Sequence, residues 1–153
     1  MTSVVQTALL QRSLEAVLEQ VLVTSYGCQL QSLAQDRLPA EWVWVLPLVI
    51  DGAAYQLHLQ SGRGLVECLL PRILGRAVSS EEVLAMASEL PAEVCNLLGG
   101  RLAGVLGDAG LLVTLGTPSG GPAAESESAA AAGGSWSCDG QRLALSLHAR
   151  SLG

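Results

Sequence analysis

The sequence predicts an α+β domain in which helices pack against one antiparallel sheet. Apolar residues recur at helical spacing in Thr7–Thr24 and again in Glu89–Gly107. Two Asp-Gly pairs, Asp51-Gly52 and Asp139-Gly140, each separate strand-like runs, the sequence form of a two-residue hairpin. These elements come in runs rather than in strict strand–helix alternation, which favours an antiparallel sheet over a parallel one.

In chain order, Thr7–Thr24 places Leu9, Leu10, Leu14, Val17, Leu18, Val21 and Leu22 on one helical face, and Tyr26-Gly27 ends it. Residues from Cys28 to Pro39 hold a short strand. Trp42–Leu59 is the strongest β signal: WVWVLPLVI is rich in β-branched and aromatic residues, and the return strand alternates Tyr55, Leu57 and Leu59 against Gln56 and His58. Pro47 removes one ladder donor, which calls for a sheet edge or a bulge there. Gly62–Leu74 is helical up to Gly75, with Pro71 inside it as a kink or an early end. Ser79 or Ser80 caps a further helix, with Glu81 and Glu82 in its first turn, that reaches about Leu90. Pro91 then kinks one long helix or opens the next in its first turn. Leu111–Leu115 is a short strand. Residues 117–135, poor in core formers, read as a mobile loop within a single domain spanning 1–153. Trp136–Cys138 and Arg142–His148 close the sheet as a hairpin. No internal repeat stands out.

Composition narrows the function. The 153 residues carry a net charge of −6, with eight arginines and no lysine, so no basic stripe offers itself to nucleic acid. No uninterrupted apolar run reaches membrane-span length, and the first ten residues lack the pattern of a secretory signal, which predicts a cytoplasmic chain with no membrane partner. Cys28, Cys68, Cys95 and Cys138 form no CxxC pair, and the two histidines, His58 and His148, stand apart from them. The expectation is reduced thiols packed as small apolar residues, and no metal site. Nucleophile motifs and phosphate-binding glycine loops are missing as well.

What remains is the helix ELPAEVCNLLGGRLAGVLG. On a wheel of ~100° per residue, Leu90, Val94, Leu97, Leu98, Leu102 and Val105 form its apolar face. Glu93, Asn96, Gly100, Ala103 and Gly107 gather opposite, and Glu93 and Asn96, three apart, share one patch. Such a pair is ordinary on a solvated helix. Equally, a carboxamide on a bare face can orient a water for in-line attack, and a carboxylate beside it can meet a partner's cation.

The stretch ELPAEVCNLLGG resembles the signature helix of the CheC/CheX/FliY family of bacterial chemotaxis phosphatases, whose ExxN motif is matched by Glu93 and Asn96, followed by Leu97, Leu98 and Gly100. The helices before it and Leu115-Gly116-Thr117-Pro118 after it resemble the family in the same order. With one ExxN, and none in Thr7–Thr24, the chain is more similar to CheX than to CheC. The resemblance implies a CheX-like fold with the ExxN helix exposed, and a phosphatase acting on the aspartyl phosphate of a CheY-like response regulator. Asn96 would hold the attacking water and Glu93 would pair with the receiver's lysine. The receiver would bring the Mg²⁺, so the chain needs no cofactor of its own. It also implies a homodimer. The alternative is a non-catalytic CheX-like module that binds a receiver, or dimerises, without hydrolysis.

Overall fold

A computed structural model of the chain describes residues 4–34, 42–122 and 130–150. The helices are α1 (Val4–Leu18), α2 (Arg63–Leu74), α3 (Ser80–Ala85) and α4 (Glu89–Asp108), and α1 is prolonged by π-helical turns over Glu19–Ser25. The strands are β1 (Leu30–Leu33), β2 (Trp42–Ile50), β3 (Ala53–Ser61), β4 (Val113–Leu115), β5 (Ser119–Pro122), β6 (Ala132–Cys138) and β7 (Gln141–Ala149). They form one antiparallel sheet in the order β1-β6-β7-β3-β2-β4, with β5 also paired to β2. This is the α+β architecture expected from the sequence.

Helices α1 and α4 lie against each other on one face of the sheet, α1 over β6 and α4 over β2 and β4. The core between them is the face that alternation foretold: Leu46, Leu48 and Ile50 from β2, Tyr55, Leu57 and Leu59 from β3, and Leu143, Leu145 and Leu147 from β7. Leu10, Leu14, Leu18 and Leu22 from α1 and its extension, with Val94, Leu98 and Leu102 from α4, close it from above.

Pro47 explains why the far edge comes in two pieces. Its carbonyl accepts the Gly116 amide at 2.8 Å, and an extended residue turns its amide position to the same side. The donor that proline lacks therefore falls between β4, opposite Leu48–Ile50, and β5, opposite Trp42–Val45.

The two Asp-Gly turns are near twins. Asp51 and Asp139 both take positive φ (49° each) and are followed by Gly52 and Gly140 at 81° and 84°. The Asp51 amide donates to the Leu112 carbonyl (2.8 Å), and the Leu112 amide donates back to Asp51 Oδ1 (2.8 Å). Asp139 makes the same reciprocal pair with Gln29, at 2.9 and 2.8 Å. Each turn thus clasps the segment that follows a long helix, α4 in one case and α1 in the other. This is an internal two-fold likeness that the side chains do not advertise.

Three expectations need correction. The loop drawn over 117–135 is strand at both ends, β5 and the start of β6; residues 123–129 lie outside the described ones. Its small residues belong to close packing: a Cβ on Gly120 would overlap the Trp44 ring, and one on Gly133 would press on Leu145 and Ser146. The helix begun at Ser80 stops at Ala85 rather than near Leu90, and a turn over Met86–Ser88 separates it from α4. An unbroken helix would set the Pro91 ring against the Ala87 carbonyl. With the break, Pro91 is the third residue of α4, where no intrahelical donor is needed. Leu97, assigned to the apolar face, is 39 % exposed; it lies one turn beyond Glu93 and belongs to that edge of the helix.

Candidate functional site

α4 carries four glycines, Gly99, Gly100, Gly104 and Gly107, at a propensity cost of up to ~1 kcal/mol each relative to alanine. They divide by role. Gly99 is buried against the sheet, where a Cβ would overlap Leu46 Cδ2, so the helix axis can approach β2 closely only with glycine there. Gly100, Gly104 and Gly107 have open space where a Cβ would stand. The outward face is bare because these positions carry no side chain.

Glu93 and Asn96 project from that face in the first two turns of α4, both exposed as the wheel predicted. Among the described residues neither side chain makes a hydrogen bond or an ion pair, so each is free to engage a partner. Gly100 lies one turn past Asn96 and Leu97 one turn past Glu93, which gives the pair a flat, partly apolar floor.

Beside Glu93 runs a groove of about 340 Å³ between α2, α3 and the start of α4, lined mainly by Leu70, Ile73, Leu74, Met86 and Leu90, with Glu82 and Glu93 on its rim. Ile73 and Leu74 are both nearly half exposed. The rim is rigid on the α3 side. Ser79 Oγ accepts the Glu82 amide (3.2 Å) and Glu82 Oε1 accepts the Ser79 amide (3.1 Å), a capping box, while Arg76 grips Glu82 Oε2 at 2.6 Å. The Arg76 guanidinium, with the capping bonds, pulls the Glu82 carboxyl to about 2. Glu81-Glu82 thus works as helix-start charge, as the sequence indicated. Near enough to Glu93 to feel its charge stands Tyr26, which sequence reasoning took only as a helix end. Burial, and then the charges of Glu93 and Cys28, raise its phenol above the ordinary value. No local pattern ties Tyr26 to Glu93; only the packing of the α1 extension near α4 does.

Cys95, next to Asn96 in sequence, points into the core, and burial pushes its thiol up to about 12, which removes it as a nucleophile. His58 and His148 lie on β3 and β7 rather than on α4, and their rings meet at a 31° tilt with centres 4.2 Å apart.

No known family profile matches the sequence, and no curated protein is similar to it in sequence. The fold is another matter. The chain superposes on chemotaxis protein CheX from Vibrio vulnificus with a TM-score of 0.70 at 16 % identity, over 91 % of this chain and 95 % of that one. CheX from Desulfovibrio desulfuricans gives 0.68 at 12 % identity, over 92 % and 99 %. The CheX of a CheX–CheY–BeF3–Mg²⁺ complex from Borrelia burgdorferi gives 0.69 at 12 % identity, over 99 % and 100 %. The chain has a CheX-like fold.

Proposed function

We propose that this chain is a CheX-like phosphatase that hydrolyses the aspartyl phosphate of a CheY-like receiver domain in a bacterial chemotaxis or two-component pathway, with Glu93 and Asn96 as its working pair. The observation that carries the proposal is their placement: two unpaired polar side chains on a helix face stripped by glycine, beside an apolar groove. An acyl phosphate is already reactive, so the protein's task is positioning. The Asn96 carboxamide can accept a hydrogen from a water and donate to a phosphoryl oxygen, holding the water in line. The water oxygen bonds to phosphorus, the bond to the receiver's aspartyl oxygen breaks, and inorganic phosphate leaves with the carboxylate restored. Glu93 meets the receiver's lysine, and the Mg²⁺ comes with the receiver. The Borrelia burgdorferi complex pairs CheX with CheY, which supports the partner class.

The same proposal places the chain in the cytoplasm, where such receivers act; among the described residues no helix is long and apolar enough to cross a membrane. It includes a homodimer formed along the β4/β5 edge, where Leu115 of β4 is an exposed apolar residue for a second copy to cover.

The test is phosphate release from a phosphorylated cognate receiver, with and without the chain. Acceleration by wild type that is lost in Asn96→Ala supports the proposal. A receiver that binds but loses phosphate no faster makes the chain a non-catalytic binding module, and an Asn96→Ala as active as wild type removes the site.

A further inference from the structure

Cys28, Cys68 and Cys138, 40 and 70 residues apart in sequence, bring their sulfurs together within 4.8 Å of one another. Cys28 follows the glycine that ends the α1 extension, Cys68 sits in the middle of α2, and Cys138 ends β6. The Cys28–Cys68 and Cys68–Cys138 sulfur separations are 3.9 and 3.8 Å. A fourth donor stands beside them: Asp139 Oδ2 accepts from the Cys68 thiol at 3.4 Å.

Those distances have a chemical meaning. Zinc binds thiolate at ~2.3 Å and carboxylate oxygen at ~2.0–2.2 Å, so tetrahedral neighbours lie about 3.8 Å apart for two sulfurs and about 3.5 Å apart for sulfur and oxygen. The three separations centred on Cys68, to Cys28, Cys138 and Asp139 Oδ2, are close to the edges of such a tetrahedron, and a small shift of the exposed Asp139 carboxylate would complete it. Asp139 is also fixed in advance. Its Oδ1 holds the Gln29 amide, and Arg72 donates to Oδ2 from Nε at 3.0 Å and from Nη2 at 2.6 Å. Ligating carboxylates in metal sites are themselves hydrogen-bonded, and the Gln29 amide and Arg72 together hold the Asp139 carboxylate in place.

Packing alone does not call for these thiols. In the twin corner of the sheet, the residue before Asp51 is Ile50 and the residue before Leu112 is Leu111. Their counterparts before Asp139 and Gln29 are Cys138 and Cys28. Aliphatic side chains close one corner; in the other, both are replaced by cysteine and a third cysteine reaches in from α2. Cys28 and Cys138 are buried, whereas Cys68 is half-buried and Asp139 exposed, so an ion has a way in from the turn.

We propose that Cys28, Cys68, Cys138 and Asp139 form a structural Zn²⁺ site that staples the end of the α1 extension and α2 to the β6–β7 turn. Binding replaces the three thiol protons, released to solvent, with three sulfur–zinc bonds, and exchanges the Cys68–Asp139 hydrogen bond for one Asp139 oxygen–zinc bond. Separate elements supply the ligands, so no paired Cys spacing marks the site in the sequence.

The full chain, reduced and stripped with a chelator, is titrated with Co²⁺ and then Zn²⁺. The expected result is one equivalent of Co²⁺ developing an intense tetrahedral thiolate spectrum, which Zn²⁺ then discharges. Cys68→Ser and Asp139→Asn weaken Zn²⁺ more than about 100-fold and Arg72→Ala about 10-fold, while Cys95→Ala binds as wild type. In the unmutated chain, bound Zn²⁺ blocks alkylation of Cys68 without a disulfide forming, a readout that does not depend on a variant folding. A pale octahedral Co²⁺ spectrum, wild-type affinity in Cys68→Ser, or Cys68 alkylated equally with and without Zn²⁺ overturns the proposal.

Discussion

Gly99 packs against Leu46 so closely that a methyl group on the glycine would overlap the leucine's Cδ2. Leu46 lies fully buried at the middle of β2, and this contact sets how near α4 comes to the sheet and which of its residues face outward. Gly99→Ala forces Leu46 off its rotamer, an overpacking cost of about 1–3 kcal/mol, against up to ~1 kcal/mol of helix propensity regained. The adjacent Gly100→Ala meets open space and keeps only the gain. Urea unfolding should therefore separate the two variants by roughly 2 kcal/mol, with Gly99→Ala below wild type and Gly100→Ala above it. Equal midpoints would mean that α4 is not held by this contact.

The open space over Gly100 makes a second, functional prediction. A long side chain there, one turn from Asn96, stands where a receiver would approach under the proposed function. Gly100→Arg should leave unfolding no less cooperative than wild type while phosphate release from the receiver falls about 100-fold or more, the scale of a misplaced reacting geometry. Unchanged turnover would show that the partner does not dock on this face of α4.

How much of this was legible in the sequence follows from the range of each interaction. The hairpins, the α1 stripe and the exposure of Glu93 and Asn96 rest on periodicity and on Asp-Gly chemistry, which act within a few residues. Leu97 was misplaced because a wheel has no edge marker, and a leucine one turn past Glu93 can face solvent. β5 was missed since Gly120 is chosen by Trp44 across the sheet, and composition alone reads glycine as loop. The thiol cluster and the Tyr26–Glu93 proximity were invisible for the same reason: each joins elements distant in sequence.

Partner affinity and rate should separate within the candidate site. Glu93→Gln keeps the shape but removes the charge offered to a lysine, so it should raise the receiver concentration needed for half-maximal turnover while leaving saturated turnover nearly intact. Ile73→Asp, in the half-exposed groove wall, should likewise raise that concentration, with a modest loss of stability from the apolar burial given up. Asn96→Ala should lower saturated turnover instead. A Glu93→Gln effect on saturated rate alone would contradict this division.

The capping box beside the groove should be measurable by itself. Ser79→Ala removes the hydroxyl that accepts the Glu82 amide and should cost about 1 kcal/mol in chemical denaturation. The variant also loosens Glu82 on the groove's rim, so weaker receiver binding should accompany the lost stability. No change in stability would mean that Arg76 alone holds the start of α3.

The tilted pair His58 and His148 gives the fold a pH dependence of definite sign. Burial, and then the charge of His148, push His58 down to about 4, against 6.5 for an ordinary histidine. His58 Nε2 lies 3.2 Å from Gln56 Oε1, and His148 Nε2 lies 2.8 Å from Ser146 Oγ, so the pair is set in polar company on β3 and β7. Above pH 6.5 His58 is neutral in both folded and unfolded chains and contributes no pH dependence. Between 6.5 and 4 the unfolded chain takes up a proton that the native state refuses, so stability falls as the pH is lowered through that window. Below 4 both states are protonated and this contribution levels off. Thermal unfolding followed from pH 7.5 to 4 should show a fall in Tm for wild type that is shallower in His58→Gln, which has no proton to gain. If the two profiles run parallel, His58 is not the group that senses pH.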